Sequence, residues 1–215
     1  MQLLEKLTER RNASAQNLPA EIHQVMISET KALKAKALEQ YAPKPGDIFP
    51  NFILGNQSGD EVQLIDLTAK GPVVVTFYRG GWCPYCNFEL RAYQNVLDQI
   101  TDAGAKLVAI SPELPDASLT TIEKNELKFT VLSDPEAEFA KSLGIVFTLP
   151  DSLKPIYAEF GIDVEQHNGP GKFDLPLAAT FVIGRDGKVV FVDVNADYTY
   201  RAEPSDIVDI LASID

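Results

Sequence analysis

Cys83 and Cys86 are the only two cysteines in 215 residues, and they stand three positions apart in the run Arg79-Gly80-Gly81-Trp82-Cys83-Pro84-Tyr85-Cys86-Asn87-Phe88. Residues three apart share one side of a helix. Proline suits the first helical position, which makes Pro84 a helix start and Cys83 its N-cap. A sulfur there faces unpaired amide N–H groups and the positive end of the helix dipole, both of which favour a thiolate. Such placement brings a thiol pKa from about 8.5 into the range of about 3.5 to 7.5. A two-unit drop raises the thiolate fraction at pH 7 about 25-fold but lowers nucleophilicity about 8-fold, a net gain of about threefold. Fast chemistry therefore needs neighbours that position the substrate and stabilise developing charge.

Cys83 reads as the nucleophile and Cys86, deeper and less acidic, as the resolving thiol. A Cys83–Cys86 disulfide follows whether Cys83 first forms a sulfenic acid or a mixed disulfide. Glu89, one further turn along, is either a relay for the Cys86 proton or a solvated helix carboxylate. Arg79 is a candidate cation beside the thiolate, whereas Arg91 reads first as an exposed salt-bridging residue. Trp82 shields the pair or fills the core. Only His23 and His167 remain as nitrogen donors, in unrelated segments, so a four-ligand zinc site is not expected and the histidines read as surface residues. Glu113 with Asp116, and Asp134 with Glu136, read as helix caps rather than acid–base pairs. With no phosphate-binding glycine loop and no Ser/His/Asp set, no cofactor is expected.

The β-branched run before Arg79 reads as a buried strand, and Gly80-Gly81 as the turn that hands it to the helix. That strand is predicted over 72–78, and further strands over 61–64, 106–111, 129–133, 178–184 and 188–194. Helices are predicted over about 84–102, 117–127, 135–143, 153–160 and 204–214. Ser133 and Asp134 are N-cap candidates before Pro135, and 163–175 reads as a long loop. Strands alternating with helices imply a sheet covered on both faces, and Arg185-Asp186-Gly187 closes it with an antiparallel hairpin. Residues 1–44 form a helical arm, interrupted near Pro19 and joined by a breaker-rich link, and 45–215 form the main domain. The arm's apolar residues serve either to pack on that domain or to join two subunits as a homodimer.

A net charge of −12 opposes binding to nucleic acid or anionic membranes. The amino terminus lacks the continuous apolar core of a secretion signal, and no stretch approaches a membrane span. The expected compartment is the cytoplasm, where a bond between two close cysteines is transient and catalytic.

Three segments together resemble the peroxiredoxin-like branch of the alkyl hydroperoxide reductase and thiol-specific antioxidant family: Thr76 to Leu90 around the cysteines, Leu107 to Ser111, and Ala179 to Ile183. The resemblance covers about 45–214 and implies a thioredoxin-like α/β fold with a mixed central sheet. It implies a peroxidatic Cys83 that reduces a hydroperoxide, with Trp82 and Thr180 on the substrate side and an external thiol, a thioredoxin or glutathione, as reductant. The family pattern has Thr or Ser where this chain has Gly80, and Arg where it has Ala178. Pro176, two residues earlier, is the candidate for a thioredoxin-type cis-proline. The sequence Cys-Pro-Tyr-Cys itself resembles a glutaredoxin site, so a thiol–disulfide oxidoreductase is the second reading. A non-catalytic redox sensor that docks partners through the arm is the third.

Overall fold

The computed structural model describes residues 2–214. Two helices open the chain, α1 (Leu3–Asn17) and α2 (Ala20–Ala35), followed by a 3-10 turn at Leu38–Tyr41. Next come β1 (Ile53–Asn56), β2 (Glu61–Gln63), α3 (Leu64–Thr68), β3 (Val73–Phe77), α4 (Pro84–Asn95), α5 (Leu97–Asp102), β4 (Lys106–Ser111), α6 (Pro115–Asn125) and β5 (Thr130–Ser133). The remainder is α7 (Glu138–Ser142), β6 (Val146–Thr148), α8 (Lys154–Glu159), α9 (Val164–Asn168), β7 (Asp174–Pro176), β8 (Ala178–Ile183), β9 (Val189–Asn195) and α10 (Pro204–Ala212). Seven strands form one mixed sheet in the order β2-β1-β5-β4-β3-β8-β9. β3, β4 and β5 run parallel, and the other pairs are antiparallel.

β3 lies at the centre with all five residues fully buried, because its side chains alternate between two separate cores. Val73, Val75 and Phe77 face a core with Phe49, Phe52 and Phe181, while Val74 faces the core built with α4, α5 and α10. A continuous apolar run is what a strand covered on both faces requires. The chain leaves β3 at its carboxyl end and enters α4 within a few residues, so Cys83 stands at a strand-to-helix junction at the carboxyl end of an interior strand.

The arm packs on its own domain. Leu3 and Leu7 are buried beside Leu90, Tyr93, Ile207 and Leu211. The Glu203 carboxylate accepts the free amides of Leu3 and Leu4 at 2.9 and 2.8 Å, which satisfies the start of α1. Ile22, Val25 and Met26 pack on a third cluster around Leu149, Tyr157 and Leu175. A homodimer through the arm would have to form without Leu3 and Leu7.

Several expectations need correction. β1 is a strand that the sequence reading left out, and α3 begins where that reading ended β2. The segment 163–175 is not a bare loop: it contains α9, and Asp174 begins a strand paired with β6. The expected helix over 84–102 breaks at Val96 into α4 and α5. Pro135 opens a 3-10 turn with Asp134 as its N-cap, and the Asp134 carboxylate reaches past that turn to accept from the Phe139 and Ala140 amides of α7 at 2.9 Å each. No peptide bond among the described residues is cis, so Pro176 is not a cis-proline. No helix among those residues is long and apolar enough to cross a membrane.

Candidate active site

Cys83 is the N-cap of α4 and Pro84 its first residue, as the spacing requires. The expected hydrogen bonds from helix amides to its sulfur are not formed. The Arg79 guanidinium donates to Cys83 Sγ instead, at 3.4 Å. Arg79 is itself buried, donates to Tyr157 Oη at 3.2 Å, and stacks between Trp82 and Tyr198 at 5.2 and 3.9 Å. Aromatic faces stabilise a buried cation where water is excluded.

Cys86 lies one turn on, and both thiols are free and fully buried. Arg201 Nη2 donates to Cys86 Sγ at 3.4 Å. Burial alone would push the Cys83 thiol up. The hydrogen bond from Cys86 and the charges of Arg79 and Arg201 outweigh burial and hold Cys83 well below the ordinary thiol range. Burial, followed by the hydrogen bond to Cys83 and its charge, drives Cys86 well above that range. The two thiols are thus pushed in opposite directions, Cys83 toward the thiolate and Cys86 toward the thiol.

Glu89 is fully buried, so the solvated reading is wrong. Its carboxylate accepts from Arg201 Nε at 2.6 Å and from the Thr76 hydroxyl at 3.3 Å. Burial raises its pKa to about 7 against the opposing charge of Arg201. Arg201 links the carboxylate to the Cys86 sulfur by donating to both. Thr180 is buried behind this pair, hydrogen-bonded to Thr76 at 3.2 Å and to Tyr93 at 3.3 Å. Arg91 is exposed and donates to the Lys124 carbonyl at 3.4 Å.

A second buried carboxylate fixes the loop before Cys83. Glu113 is no helix cap: it accepts from the Gly81 amide at 2.9 Å, Tyr78 Oη at 3.0 Å, Thr121 Oγ1 at 3.1 Å and His167 Nδ1 at 2.8 Å. His167 therefore belongs to this network rather than to open surface. The Gly81 carbonyl accepts from Asn87 at 2.8 Å and Lys124 at 3.2 Å, so both ends of the Gly81 residue are held. A Cβ on Gly81 would overlap Thr121 Oγ1, which is why glycine stands there.

A model of the AhpC/TSA family matches residues 45–192. The chain belongs to the AhpC/TSA family. A protein of Mycobacterium tuberculosis named as a peroxiredoxin is 30% identical over 155 residues, which span 72% of this chain and 87% of the relative. Peroxiredoxin Bcp of Escherichia coli K12 is 32% identical over 102 residues, 47% of this chain and 65% of its own length. The crystal structure of peroxidoxin BcpB from Mycobacterium tuberculosis superposes with a TM-score of 0.63 at 23% identity, covering 80% of this chain and 99% of the other. The fold is accordingly thioredoxin-like, and the protein is a thiol-dependent peroxidase of the peroxiredoxin type.

Within the peroxiredoxin frame, both departures have a structural counterpart. Gly80 leaves room for the Trp82 indole, whose Nε1 and Cδ1 occupy the space that a side chain at position 80 would need. Ala178 supplies no cation, and Arg201 supplies one from another segment. Sequence reasoning missed Arg201, Glu113 and His167 as site residues. The missing arginine at 178 was a reason to seek a cation elsewhere, but no local pattern selects Arg201.

Proposed function

We propose that Cys83 is the peroxidatic thiol and Cys86 the resolving thiol, and that Arg79 and Arg201 are the cations that set their charge states. The observation that carries this reading is a guanidinium 3.4 Å from each of two buried sulfurs. The Cys83 thiolate attacks one peroxide oxygen, an S–O bond forms as the O–O bond breaks, and the departing alkoxide takes a proton to leave as alcohol. Cys86 sulfur then attacks Cys83 sulfur; the S–O bond breaks, and the oxygen leaves as water with a second proton. Two electrons from an external thiol reductant of the thioredoxin or glutathione kind restore the dithiol.

Trp82 Nε1 and Arg79 Nε are buried and have no hydrogen-bond partner among the described residues. Buried donors left unpaired are costly. Both lie beside Cys83, and we assign them to the peroxide oxygens during attack, Trp82 taking the place of the family's hydroxyl at position 80. Glu89 acts through Arg201 as a positioning residue. Thr180 supports Thr76 from behind and does not touch substrate.

Full burial of Cys83 disfavours a large protein disulfide as substrate, because the attacking sulfur must reach its target. As an enzyme of this family the protein is not a silent sensor. A dithiol that must be returned to the reduced state suits the cytoplasm, the compartment we infer.

The test mixes reduced protein with hydrogen peroxide in stopped flow and follows Trp82, the single tryptophan. We expect a rate constant far above that of a free thiolate, and Cys86→Ser should hold a sulfenic acid on Cys83 that mass spectrometry detects. A free-thiolate rate, or a sulfenic acid found on Cys86 in the converse Cys83→Ser variant, overturns the assignment.

A further inference from the structure

Tyr198 and Arg201 reach the thiols from residues 196–203, the connection between β9 and α10. Arg201 donates to Cys86 Sγ at 3.4 Å and to Glu89 at 2.6 Å, and the Tyr198 ring lies over the Arg79 guanidinium at 3.9 Å. Tyr198 also meets Tyr85, which stands between the two cysteines, edge-on at 5.5 Å. The connection is neither helix nor strand, so no backbone ladder fixes it in place. A loop that must aim two side chains at buried sulfurs needs an outside hold.

The arm supplies that hold. Arg11 of α1 donates to the Thr199 carbonyl at 2.9 Å and lies over the Tyr200 ring at 4.3 Å. Its other terminal nitrogen donates to Thr8 Oγ1 at 2.8 Å on the same helix, which fixes the guanidinium plane. Lys34 of α2 pairs with Asp197 at 3.2 Å and lies 5.7 Å from the same ring. Glu39 in the 3-10 turn accepts from the Ala196 amide at 3.0 Å, and Glu203 accepts from the Leu3 and Leu4 amides. Contacts from the arm therefore bracket Tyr198 and Arg201 on both sides. Residues of α1 and α2, Arg11 and Lys34 among them, line one groove with Arg79 and Trp82, which places the clamp beside the site.

We propose that Arg11 is a positioning residue for the thiol pair: by holding Thr199 and Tyr200 it keeps Tyr198 on Arg79 and Arg201 on Cys86, so the arm completes the active site of its own chain. The arm and the segment it holds both lie outside residues 45–192, the region matched by the family, so the clamp and the cation it places form one addition to the shared domain. The proposal rests on the assignment of Cys83 as the peroxidatic thiol. Cys83 is faced by Arg79 from its own loop, by Cys86 from α4 and by Arg201 from the held segment, so displacing that segment withdraws one of the cations that favour its thiolate. A planar guanidinium donates and stacks at once, which an ammonium does less well.

The test titrates alkylation of Cys83 by iodoacetamide in the full chain on a Cys86→Ser background, with the hydrogen peroxide rate and the urea midpoint measured alongside. Tyr200 is 43% exposed, so Tyr200→Leu removes the ring under Arg11 with little loss of packing and no change of charge. We expect Arg11→Met and Tyr200→Leu each to raise the alkylation midpoint by about half a pH unit, about a threefold loss of thiolate well below it, and to slow the peroxide reaction. Arg11→Lys should recover part of the effect. Arg10→Met is the control for charge, since Arg10 makes no hydrogen bond or ion pair with 196–203 among the described residues, and its midpoint should stay in place. An unmoved alkylation midpoint in both Arg11→Met and Tyr200→Leu, with or without a lowered urea midpoint, overturns the proposal. A shift in Arg11→Met that Arg10→Met matches and Tyr200→Leu lacks shows a direct charge effect and also overturns it. A parent protein that alkylates at low pH but ignores peroxide overturns the peroxidase reading on its own, because alkylation reads the clamp without peroxide.

Discussion

Arg201 grips the buried Glu89 carboxylate at 2.6 Å across 112 residues of sequence, and the same guanidinium reaches the Cys86 sulfur. Glu89 therefore sets how much of the Arg201 charge the thiols experience. Its pKa of about 7 lies above the ordinary 4.5, so the folded chain keeps a proton that the unfolded chain has lost. The stability this group contributes is full below the unfolded value and is lost as pH rises through about 7. Urea midpoints measured between about pH 5 and pH 8 should fall for the wild type, and Glu89→Gln should flatten that fall. An identical slope in both proteins would remove Glu89 as the titrating group.

Gly80 and Trp82 form a steric pair, since any side chain at 80 would meet the indole. Gly80→Ala should cost about 1 to 3 kcal/mol through overpacking, read by chemical denaturation. Gly80→Ala with Trp82→Leu should recover part of the loss. Recovery stays incomplete because the backbone at position 80, with φ +153°, also favours glycine. Strict additivity of the two single changes would refute the coupling.

Arg79→Met should raise the pKa of Cys83, because it deletes the cation that donates to the sulfur. Iodoacetamide alkylation of Cys83 should become slower at every pH below the raised pKa, because the thiolate fraction there falls about tenfold per pH unit, and the midpoint of its pH profile should move upward. The Cys86→Ser background isolates the signal to one thiol. A pH profile of alkylation superimposable on that of the parent would show that Arg79 is not the source of the acidity.

Glu113→Gln should loosen the loop before Cys83. An amide cannot accept four hydrogen bonds, and its NH₂ would face the donors now held by one carboxylate oxygen. Donors left unsatisfied cost about 1 to 3 kcal/mol. The urea midpoint should drop, and the peroxide rate should drop with it because the Gly81 backbone is no longer fixed. A variant with lowered stability but an unchanged peroxide rate would confine Glu113 to a structural part.

The cysteine pair, its helix start and the central strand were legible in the sequence because each depends on neighbours. Pro84 is the first helical residue for a local reason, its fixed φ and absent N–H, and Val73 to Phe77 declares itself by composition alone. The resemblance carried the fold class and the reaction. Short pieces were not legible: β1 lacks a β-branched run, and β6 and β7 exist only through each other. Val96 breaks the long helix with no proline or glycine to announce it.

Sequence by itself determined that a thiol pair sits at the mouth of a helix behind a buried strand, since spacing, proline chemistry and the apolar run act over a few residues. Tertiary structure decided what else makes the first thiol acidic. Helix amides do not reach its sulfur; the hydrogen bond from Cys86 and the charge of Arg79 come from near neighbours, and a second charge comes from Arg201, which lies 115 residues beyond Cys86. It also decided that the arm closes over the site and lines its entrance. Long-range pairing of charges and apolar faces depends on where the sheet order brings distant segments, and no local pattern encodes that meeting.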